Sequence, residues 1–465
     1  MNCNLITAKP TSALVMYVDM NSYFASCEQQ LVPRLRGKPI GVCPYPGPNA
    51  VVIAASKEAK KFGVKTGMLA GECQTLCPQF EMVPTRPVEY RRIHVKIMNV
   101  LRSNFDSKDI IPKSIDEAVV NLTPYKNVYP DFIDLAKQIK QDIAATIGEF
   151  VTCSIGISGN VFLAKLATEI QKPDGLVELN ETNLDGYLSK MKLTDLPGIA
   201  RGYEKRLNRA GIHSPLEMRS ASEIVLRKAL GGIVGNYWYY RLHFKEVDMH
   251  SSDYKNMAAA RSLSTSTRSS KASLLAMLVA LCTRLEQRMV KQQVFCRFVN
   301  FYASYYDAPT WKTDIKLTDP VQDSMDLLHY IENRIEEYEQ ITSKKIMRRE
   351  MKHMGVMIGD FMKGKDLQYG LFDNRLQKDK LRRVMYTIKD QYGKNMVRKA
   401  SETVVSGQMK DAIGFGSVKD MYQTEQQTGF NKFLLEDDIE MAGHSAEELN
   451  KLRNESKTQI ARRWR

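Results

Sequence analysis

Hydrophobic positions in the N-terminal part of the chain predict strands and helices in turn. An apolar run from Leu14 to Val18 ends on Asp19, which is typical of a buried strand that carries an acid at its tip. Helices are expected over 22–30, 90–104, 132–143 and 160–171, and strands over 114–122, 151–157 and 175–179. This order predicts an α+β domain of ferredoxin-like type.

The segment from Pro33 to Pro87 interrupts that domain. Glycines and prolines break it repeatedly between Gly37 and Pro48, so that only short strands are expected, near Ile40 and Val51. We interpret the segment as a small inserted subdomain.

A second α+β domain follows a mainly helical stretch that runs from Leu193 to about Val247. The later periodicities predict the order βαββαβ, with strands near 261–268, 295–302, 311–317 and 354–358 and helices over 274–285 and 328–335. From Lys363 onward the chain is polar and mixed in charge, with acids clustered at 436–438, and no fold is predicted there.

Composition restricts the class of protein. The chain has 465 residues, 43% of them hydrophobic and 26% charged, as in soluble globular proteins of several domains. Lysines and arginines outnumber acids by 67 to 53, and this net charge of +14 favours a polyanionic partner without requiring one. The eight cysteines and seven histidines lack zinc-site spacing. We therefore expect buried free thiols in a reducing compartment, and a cytoplasmic protein without a membrane segment or signal peptide.

Three carboxylates, Asp19, Asp116 and Glu117, lie at ends of predicted strands beside apolar runs. A solvated strand end is the structural alternative for any Asp-Glu pair. Buried acids that converge need cations, and oxygen ligands without His or Cys suit Mg²⁺. A two-metal site for nucleotidyl transfer follows. Because Asp116 and Glu117 would point to opposite faces of an extended strand, we predict a bend there.

Four motifs in and around these acids resemble those of a known protein family. They are VDMNSYFA from Val18, AKKFGVKTG from Ala59, SIDEA from Ser114 and KPDG from Lys172. Over roughly residues 14–372 the chain resembles Y-family DNA polymerases, and most of all the UmuC-like branch, the catalytic subunits of bacterial DNA polymerase V and their plasmid or phage relatives. The resemblance implies a right-hand polymerase: palm at 12–30 and 87–185, fingers at 31–86, thumb at 186–248, little finger at 256–362 and a tail at 363–465.

The resemblance also implies roles for single residues. Asp19 and Asp116 would bind both Mg²⁺ ions, Glu117 would complete the catalytic metal site, and Met20 would offer its carbonyl. Phe24 would be the steric gate against ribonucleotides, with packing in the core as its alternative. The other expected nucleotide contacts are Tyr23, Val51, Ile53, Lys57, Lys60 and Lys172. Lys57 and Lys60 depart from many relatives outside the UmuC-like branch, which have tyrosine and arginine there.

Two further motifs concern DNA and partners. The run Leu196-Pro197-Gly198-Ile199 resembles a helix-hairpin-helix turn, although Ala200 replaces its usual second glycine. Expected DNA contacts, each with solvated charge as the alternative, are Gly198, Arg201, Lys205, Arg261 and Arg268. The peptide QYGLF at 368–372 resembles a clamp-binding peptide, through Gln368, Leu371 and Phe372.

The resemblance therefore implies an error-prone translesion DNA polymerase of the SOS response that acts in DNA repair. Its substrates would be dNTPs and primer-template DNA, and it would lack proofreading. Its partners would include a sliding clamp, and a UmuD-like accessory subunit and a RecA-type recombinase are candidates. The alternatives are a catalytically silent DNA- and clamp-binding scaffold and a nucleotide cyclase, which shares the palm-like fold.

Overall fold

A computed structural model describes residues 13–249, 255–367, 375–392, 396–397 and 399. These residues fall into two compact units, one on each side of the segment near residue 252. The first unit contains all three predicted catalytic acids.

The first unit alternates between strands and helices. Its strands are β1 (Val15–Met20), β2 (Ile40–Cys43), β3 (Ala54–Ala55), β4 (Glu81–Pro84), β5 (Ile110–Pro112), β6 (Glu117–Asn121), β7 (Cys153–Ser158) and β8 (Leu176–Leu179). Its helices are α1 (Tyr23–Leu31), α2 (Lys57–Lys61), α3 (Ala70–Leu76), α4 (Pro87–Arg102), α5 (Phe132–Ile147), α6 (Val161–Ile170), α7 (Leu184–Leu188), α8 (Arg201–Arg209), α9 (Pro215–Ser220), α10 (Glu223–Leu230) and α11 (Ile233–Leu242).

A five-stranded sheet in the order β5-β6-β1-β7-β8 forms the centre of this unit. Strand β1 is antiparallel to both β6 and β7, and all six of its residues are buried, which explains its continuous apolar run. Helix α6 packs on the sheet and connects β7 to its parallel neighbour β8. Asn160 caps this helix, because its Oδ1 accepts a hydrogen bond of 2.7 Å from the amide of Leu163. The predicted α+β class with a ferredoxin-like sheet is confirmed.

The segment between α1 and α4 forms its own small sheet in the order β3-β2-β4. The strand expected near Val51 lies slightly later in the chain, because Val51 makes only an isolated bridge to Leu69 and the strand β3 begins at Ala54. Gly41 in β2 is required by packing, since a Cβ atom there would lie 2.2 Å from the ring of Phe80.

Helices α7 to α11 pack around one buried cluster of leucines, isoleucines, Met218 and Trp238. Leu196, Leu207, Leu226 and Trp238 belong to one buried cluster, which also includes Leu166 from α6. The helical stretch is therefore packed against the helix that borders the acids.

The second unit has the predicted order βαββαβ. Its elements are β9 (Asn256–Ser262), α12 (Lys271–Gln292), β10 (Val294–Tyr305), β11 (Trp311–Val321), α13 (Ser324–Thr342), β12 (Met351–Lys363) and a further helix, α14 (Arg375–Tyr392). The four strands form an antiparallel sheet in the order β11-β10-β12-β9. Helices α12 and α13 contribute Leu278, Leu285 and Ile331 to the core of this unit.

Several predicted boundaries moved for local reasons. The strand expected over 261–268 lies earlier, at β9, because hydroxyl side chains close a turn after Leu263, where Ser264 Oγ accepts a bond from the amide of Thr267. Helix α4 begins at Pro87 instead of 90, since proline is well suited to the first helical position. The strand expected from Ser114 begins at Glu117. Helix α14 lies in a segment for which the sequence predicted no fold.

Free thiols, as expected from the sequence, are present in the described residues. Cys27, Cys43, Cys73, Cys77, Cys153, Cys282 and Cys296 are free and buried. Within the described ranges, no helix has both the length and the apolar character that crossing a bilayer would require.

Candidate active site

The three predicted acids lie at one end of the central sheet. Asp19, the fifth residue of β1, is paired in register with Glu117, the first residue of β6. The amide of Met20 donates a hydrogen bond of 2.9 Å to the carbonyl of Asp116, which fixes that residue beside the end of β1. Asp19 is only 5% exposed. The sheet therefore brings together the residues that the sequence placed far apart.

The predicted bend between Asp116 and Glu117 is present. Residues 114–116 form the turn of the β5–β6 hairpin, in which the amide of Lys113 donates to the carbonyl of Glu117 at 2.9 Å. Ser114 Oγ donates to Asp116 Oδ1 at 2.6 Å and lies 3.4 Å from Glu117 Oε2. One hydroxyl thus contacts both carboxylates, so the bend directs them toward the same region.

Lys165, which the sequence analysis did not single out, contributes a cation to these acids. Its Nζ lies 2.7 Å from Glu117 Oε1 and also donates to Asp19 Oδ2. Helix α6 can lie close enough because β7 has a glycine at position 156, where a Cβ atom would be 2.1 Å from the Ala164 carbonyl.

A second lysine and a fourth acid extend the cluster. Lys172 Nζ lies 3.0 Å from Asp19 Oδ2 and 2.7 Å from Glu169 Oε1. Glu169 also lies 3.1 Å from Lys165 Nζ, one helical turn away on α6. The site therefore alternates acids and lysines, which limits the repulsion among its carboxylates.

Burial changes the proton affinities in this cluster. Burial, reinforced by the charges of Glu117 and Asp19 and opposed by the Ser114 hydrogen bond, raises the pKa of Asp116 to about 6. The pKa of Lys165 is raised, since attraction to Asp19 and Glu117 outweighs the opposing effect of its burial. The cluster therefore keeps Lys165 charged and makes the Asp116 carboxyl easier to protonate than a solvated one.

The carboxylates of Asp19, Asp116 and Glu117 are chemically suited to a hard divalent cation, although they do not form a complete coordination shell. In the described part of the chain, no three His, Cys, Asp or Glu side chains converge as a preformed metal site. The donors at the β1 and β6 ends are all oxygens, and the ammonium of Lys165 already lies between two of them. A position that attracts a cation between carboxylate oxygens is chemically suited to Mg²⁺.

The predicted gate residue is buried on an aromatic support. Phe24 is 1% exposed and stacks on Tyr90 with ring centroids 4.7 Å apart. Tyr90 Oη donates to Glu28 Oε1 at 2.8 Å, and Glu28 accepts a further bond of 3.0 Å from Arg86 Nε. Tyr23 Oη donates to the carbonyl of Tyr90 at 2.6 Å. These contacts fix the orientation of the Phe24 ring.

The other residues predicted to bind the nucleotide lie in the segment between α1 and α4. Lys60 is exposed overall, yet partial burial of its ammonium and the charge of Lys172 lower its pKa, whereas the charges of Asp19 and Glu169 oppose this change. Lys57 is the half-buried first residue of α2. Val51 is exposed and Ile53 half-buried, at the entrance to β3.

The predicted DNA residues divide between the two units. In the first unit, Gly198 has φ +96°, as the predicted turn requires, and Arg201 and Lys205 are exposed on α8. In the second unit, Arg261 lies on β9, whereas Arg268 lies over the ring of Tyr306. Gln368, Leu371 and Phe372, which are predicted to bind a sliding clamp, lie outside the described residues.

Two residues of the site, Lys165 and Glu169, have a signal in the sequence, whereas a contact of Asn21 is seen only in the structure. Lys165 interrupts the otherwise apolar run VFLAKLA, and Glu169 follows it at the i+4 spacing of a helical ion pair. Asn21 Oδ1 accepts a bond of 2.8 Å from the amide of Asp174, which joins the first motif to the KPDG motif.

Two sequence models of one protein family match this chain. The sequence model of the impB/mucB/samB family matches residues 18–169, and the model of that family's C-terminal domain matches residues 254–371. Together they cover more than half of the chain. The chain belongs to the impB/mucB/samB family. It is thereby a member of the Y-family of DNA polymerases, as its motifs predict.

Individual proteins similar to this chain carry DNA polymerase names. A DNA polymerase IV of Bacteroides fragilis is 32% identical over 47% of this chain and 59% of its own length, so this chain spans about three fifths of that relative. DNA polymerase IV 1 of Bacillus subtilis is 25% identical over 90% of this chain and 99% of its own length. A solved Y-family DNA polymerase chimera of Dbh and Dpo4 covers 75% of this chain with a TM-score of 0.63 at 24% identity, which supports the fold.

Proposed function

We propose that this chain is a template-dependent, error-prone translesion DNA polymerase that adds dNTPs to a primer 3′-end without proofreading. The observation that carries the proposal is the convergence of Asp19, Asp116 and Glu117 beside Lys165 and Lys172. The relatives named DNA polymerase IV support it.

The acids would hold the metal ions of this reaction. Asp19 and Asp116 would bind both ions, Glu117 would complete one site, and the Met20 carbonyl would add a ligand. Two Mg²⁺ ions, when bound, would supply an activated 3′-hydroxyl and a stabilised pyrophosphate leaving group. Ser114 would orient the carboxylates of Asp116 and Glu117 through its short contacts.

The lysines and the aromatic residues would hold the incoming nucleotide. Lys60 and Lys172 would offset negative charge on the triphosphate, since both interact electrostatically with Asp19 at the proposed active site. Lys57 would contact the triphosphate from the start of α2. Tyr23 would present its backbone amide to the triphosphate, and the Phe24 ring would exclude a 2′-hydroxyl. Val51 and Ile53 would cover the nascent base pair.

The division into functional regions also belongs to this proposal. Residues 12–30 and 87–185 would form the palm, 31–86 the fingers, 186–248 the thumb and 256–362 the little finger, followed by the tail at 363–465. Gly198, Arg201, Lys205, Arg261 and Arg268 would contact phosphates of primer-template DNA.

The proposed partners and the proposed family branch are supported by sequence motifs alone. Gln368, Leu371 and Phe372 would bind a sliding clamp, and a UmuD-like subunit and a RecA-type recombinase are candidate partners in an SOS response. The lysines at positions 57 and 60 favour the UmuC-like branch, whereas the relatives named above are polymerase IV proteins. The branch therefore stays a prediction.

Primer extension with Mg²⁺ on undamaged and abasic templates tests the proposal. We expect templated addition of dNTPs by the wild-type chain and none by the Asp116→Ala, Glu117→Ala variant, with DNA binding retained in both. The matched control is Asp106→Ala, Asp134→Ala, which removes two exposed acids of the same unit and should leave synthesis unchanged. Synthesis by the variant without Asp116 and Glu117 would contradict the assignment, and absence of synthesis in every protein would favour a scaffold.

A further inference from the structure

Helix α14 packs within the second unit mainly through charged side chains. Arg382 is 5% exposed, and its guanidinium bonds Asp379 Oδ1 at 2.6 Å and Gln322 Oε1 at 3.2 Å. The same guanidinium lies 3.3 Å from Asp323 Oδ2 at the start of α13. Asp379 and Tyr386 are also buried. This face of the helix is therefore covered by the folded unit.

The opposite face of α14 exposes apolar side chains. Leu381, Val384 and Tyr392 are 71%, 56% and 66% exposed, and they follow one another at helical spacing on the outward side. Lys378 and Lys380 are exposed on the two sides of this stripe. We call Leu381, Val384 and Tyr392, with these two lysines, the outer face of α14. An apolar stripe between cations suits a segment that combines apolar residues with acids.

The chain contains such a segment in its own tail, outside the described residues. Residues 433–441 read FLLEDDIEM, with five apolar and four acidic residues and no basic one. About 40 residues separate this segment from the end of α14, and at up to about 3.3 Å per residue this length reaches any point on the helix. A tethered segment also has an effective concentration that a free partner rarely reaches.

We propose that residues 433–441 dock on the outer face of α14 and cover its apolar stripe. The acids of the segment pair with Lys378 and Lys380, and its apolar residues contact Leu381 and Val384. A second copy of α14 is a poorer occupant, since the exposed side chains described on this helix include three cations and no acid. The docked segment holds the tail against the second unit, independently of any catalytic activity.

Hydrogen exchange of the full-length chain tests the docking. We expect the amides of 433–441 to exchange at least about tenfold more slowly than in a free peptide of the same sequence. Leu381→Asp with Val384→Asp should abolish that protection. Ile341→Asp is the matched control, because Ile341 is an exposed apolar residue of the same unit, and it should leave the protection intact. Free-peptide rates in the wild type, or protection that survives the double substitution, would overturn the proposal.

Charge reversal and cross-linking separate this occupant from others. Lys378→Glu with Lys380→Glu should reduce the protection, and the further changes Glu436→Lys and Asp437→Lys should restore it; failure to restore it would contradict the pairing. A photoreactive benzoylphenylalanine at position 384 should cross-link within one chain to 433–441, whereas the same group at position 341 should not. Cross-links from position 384 to a second copy or to another part of the chain would overturn the proposal.

Discussion

Lys165 Nζ lies 2.7 Å from Glu117 Oε1, so helix α6 inserts a positive charge among the acids at the end of the central sheet. Only 19% of the lysine side chain is exposed, and its ammonium also bonds Asp19. A half-buried cation in contact with two carboxylates stabilises them while no metal is bound. This contact links the stability of the first unit to the occupancy of the proposed metal site.

We therefore expect Lys165→Met to lower the free energy of unfolding by about 2–3 kcal/mol in EDTA, because the buried Asp19 and the half-buried Glu117 lose a cation that contacts both of them. Saturating Mg²⁺ should reduce this loss, since the ion replaces the missing charge. Thermal unfolding with EDTA and with Mg²⁺ measures both effects. Lys137→Met, which replaces an exposed lysine of α5, should leave the stability unchanged both in EDTA and in Mg²⁺. An equal loss with and without Mg²⁺ would contradict the interpretation.

The stacking of Phe24 on Tyr90 leads to a prediction about sugar selection. Phe24→Ala should lower the ratio of kcat/KM for dNTPs to that for ribonucleotides by roughly tenfold or more, because the ring no longer fills the space below the sugar. The variant should also lose about 3 kcal/mol of stability, as expected for a buried aromatic residue. Phe105→Ala, at another buried ring of the same unit, should lose stability but keep the ratio. An unchanged ratio in Phe24→Ala would place the gate elsewhere.

The buried carboxylate of Glu28 depends on Arg86 for its charge compensation. Glu28 is 1% exposed and accepts two hydrogen bonds from the half-exposed Arg86 and one from Tyr90. Arg86→Met should lower the free energy of unfolding by about 2 kcal/mol, since a buried charge loses its partner. Adding Glu28→Gln should recover part of that loss in denaturant unfolding. A double variant less stable than Arg86→Met alone would show that the pair does not act through charge.

Much of this site could be predicted because strong local patterns determine it. The apolar run before Asp19 predicted a buried strand, and the adjacency of Asp116 and Glu117 required a bend if both were to serve one site. The β5–β6 hairpin provides that bend. The positions of these acids thus follow from strand geometry, which extends over only a few residues.

The contacts that could not be predicted depend on tertiary packing. Lys165 reaches Glu117 only because Gly156 allows α6 to approach β7, and no local pattern connects residues 156 and 165 to the acids. Helix α14 was missed because its buried side is charged and its exposed side is partly apolar, which reverses the usual pattern of a surface helix. Pairing with Asp323 and Gln322 makes the charged side suitable for burial.

His94 provides a test of how the first unit responds to acid. Burial lowers the pKa of His94 to about 4, although its hydrogen bond to the Ile115 carbonyl opposes this change, whereas the unfolded chain titrates near 6.5. Between these values the unfolded chain binds the proton more strongly, so the free energy of unfolding falls as the pH falls, by about 2 kcal/mol between pH 7 and pH 5 from this residue. His94→Asn should remove that part of the pH dependence in urea unfolding, and His213→Asn, at an exposed histidine of the same unit, should retain it. An unchanged dependence in His94→Asn would show that other groups cause the acid sensitivity.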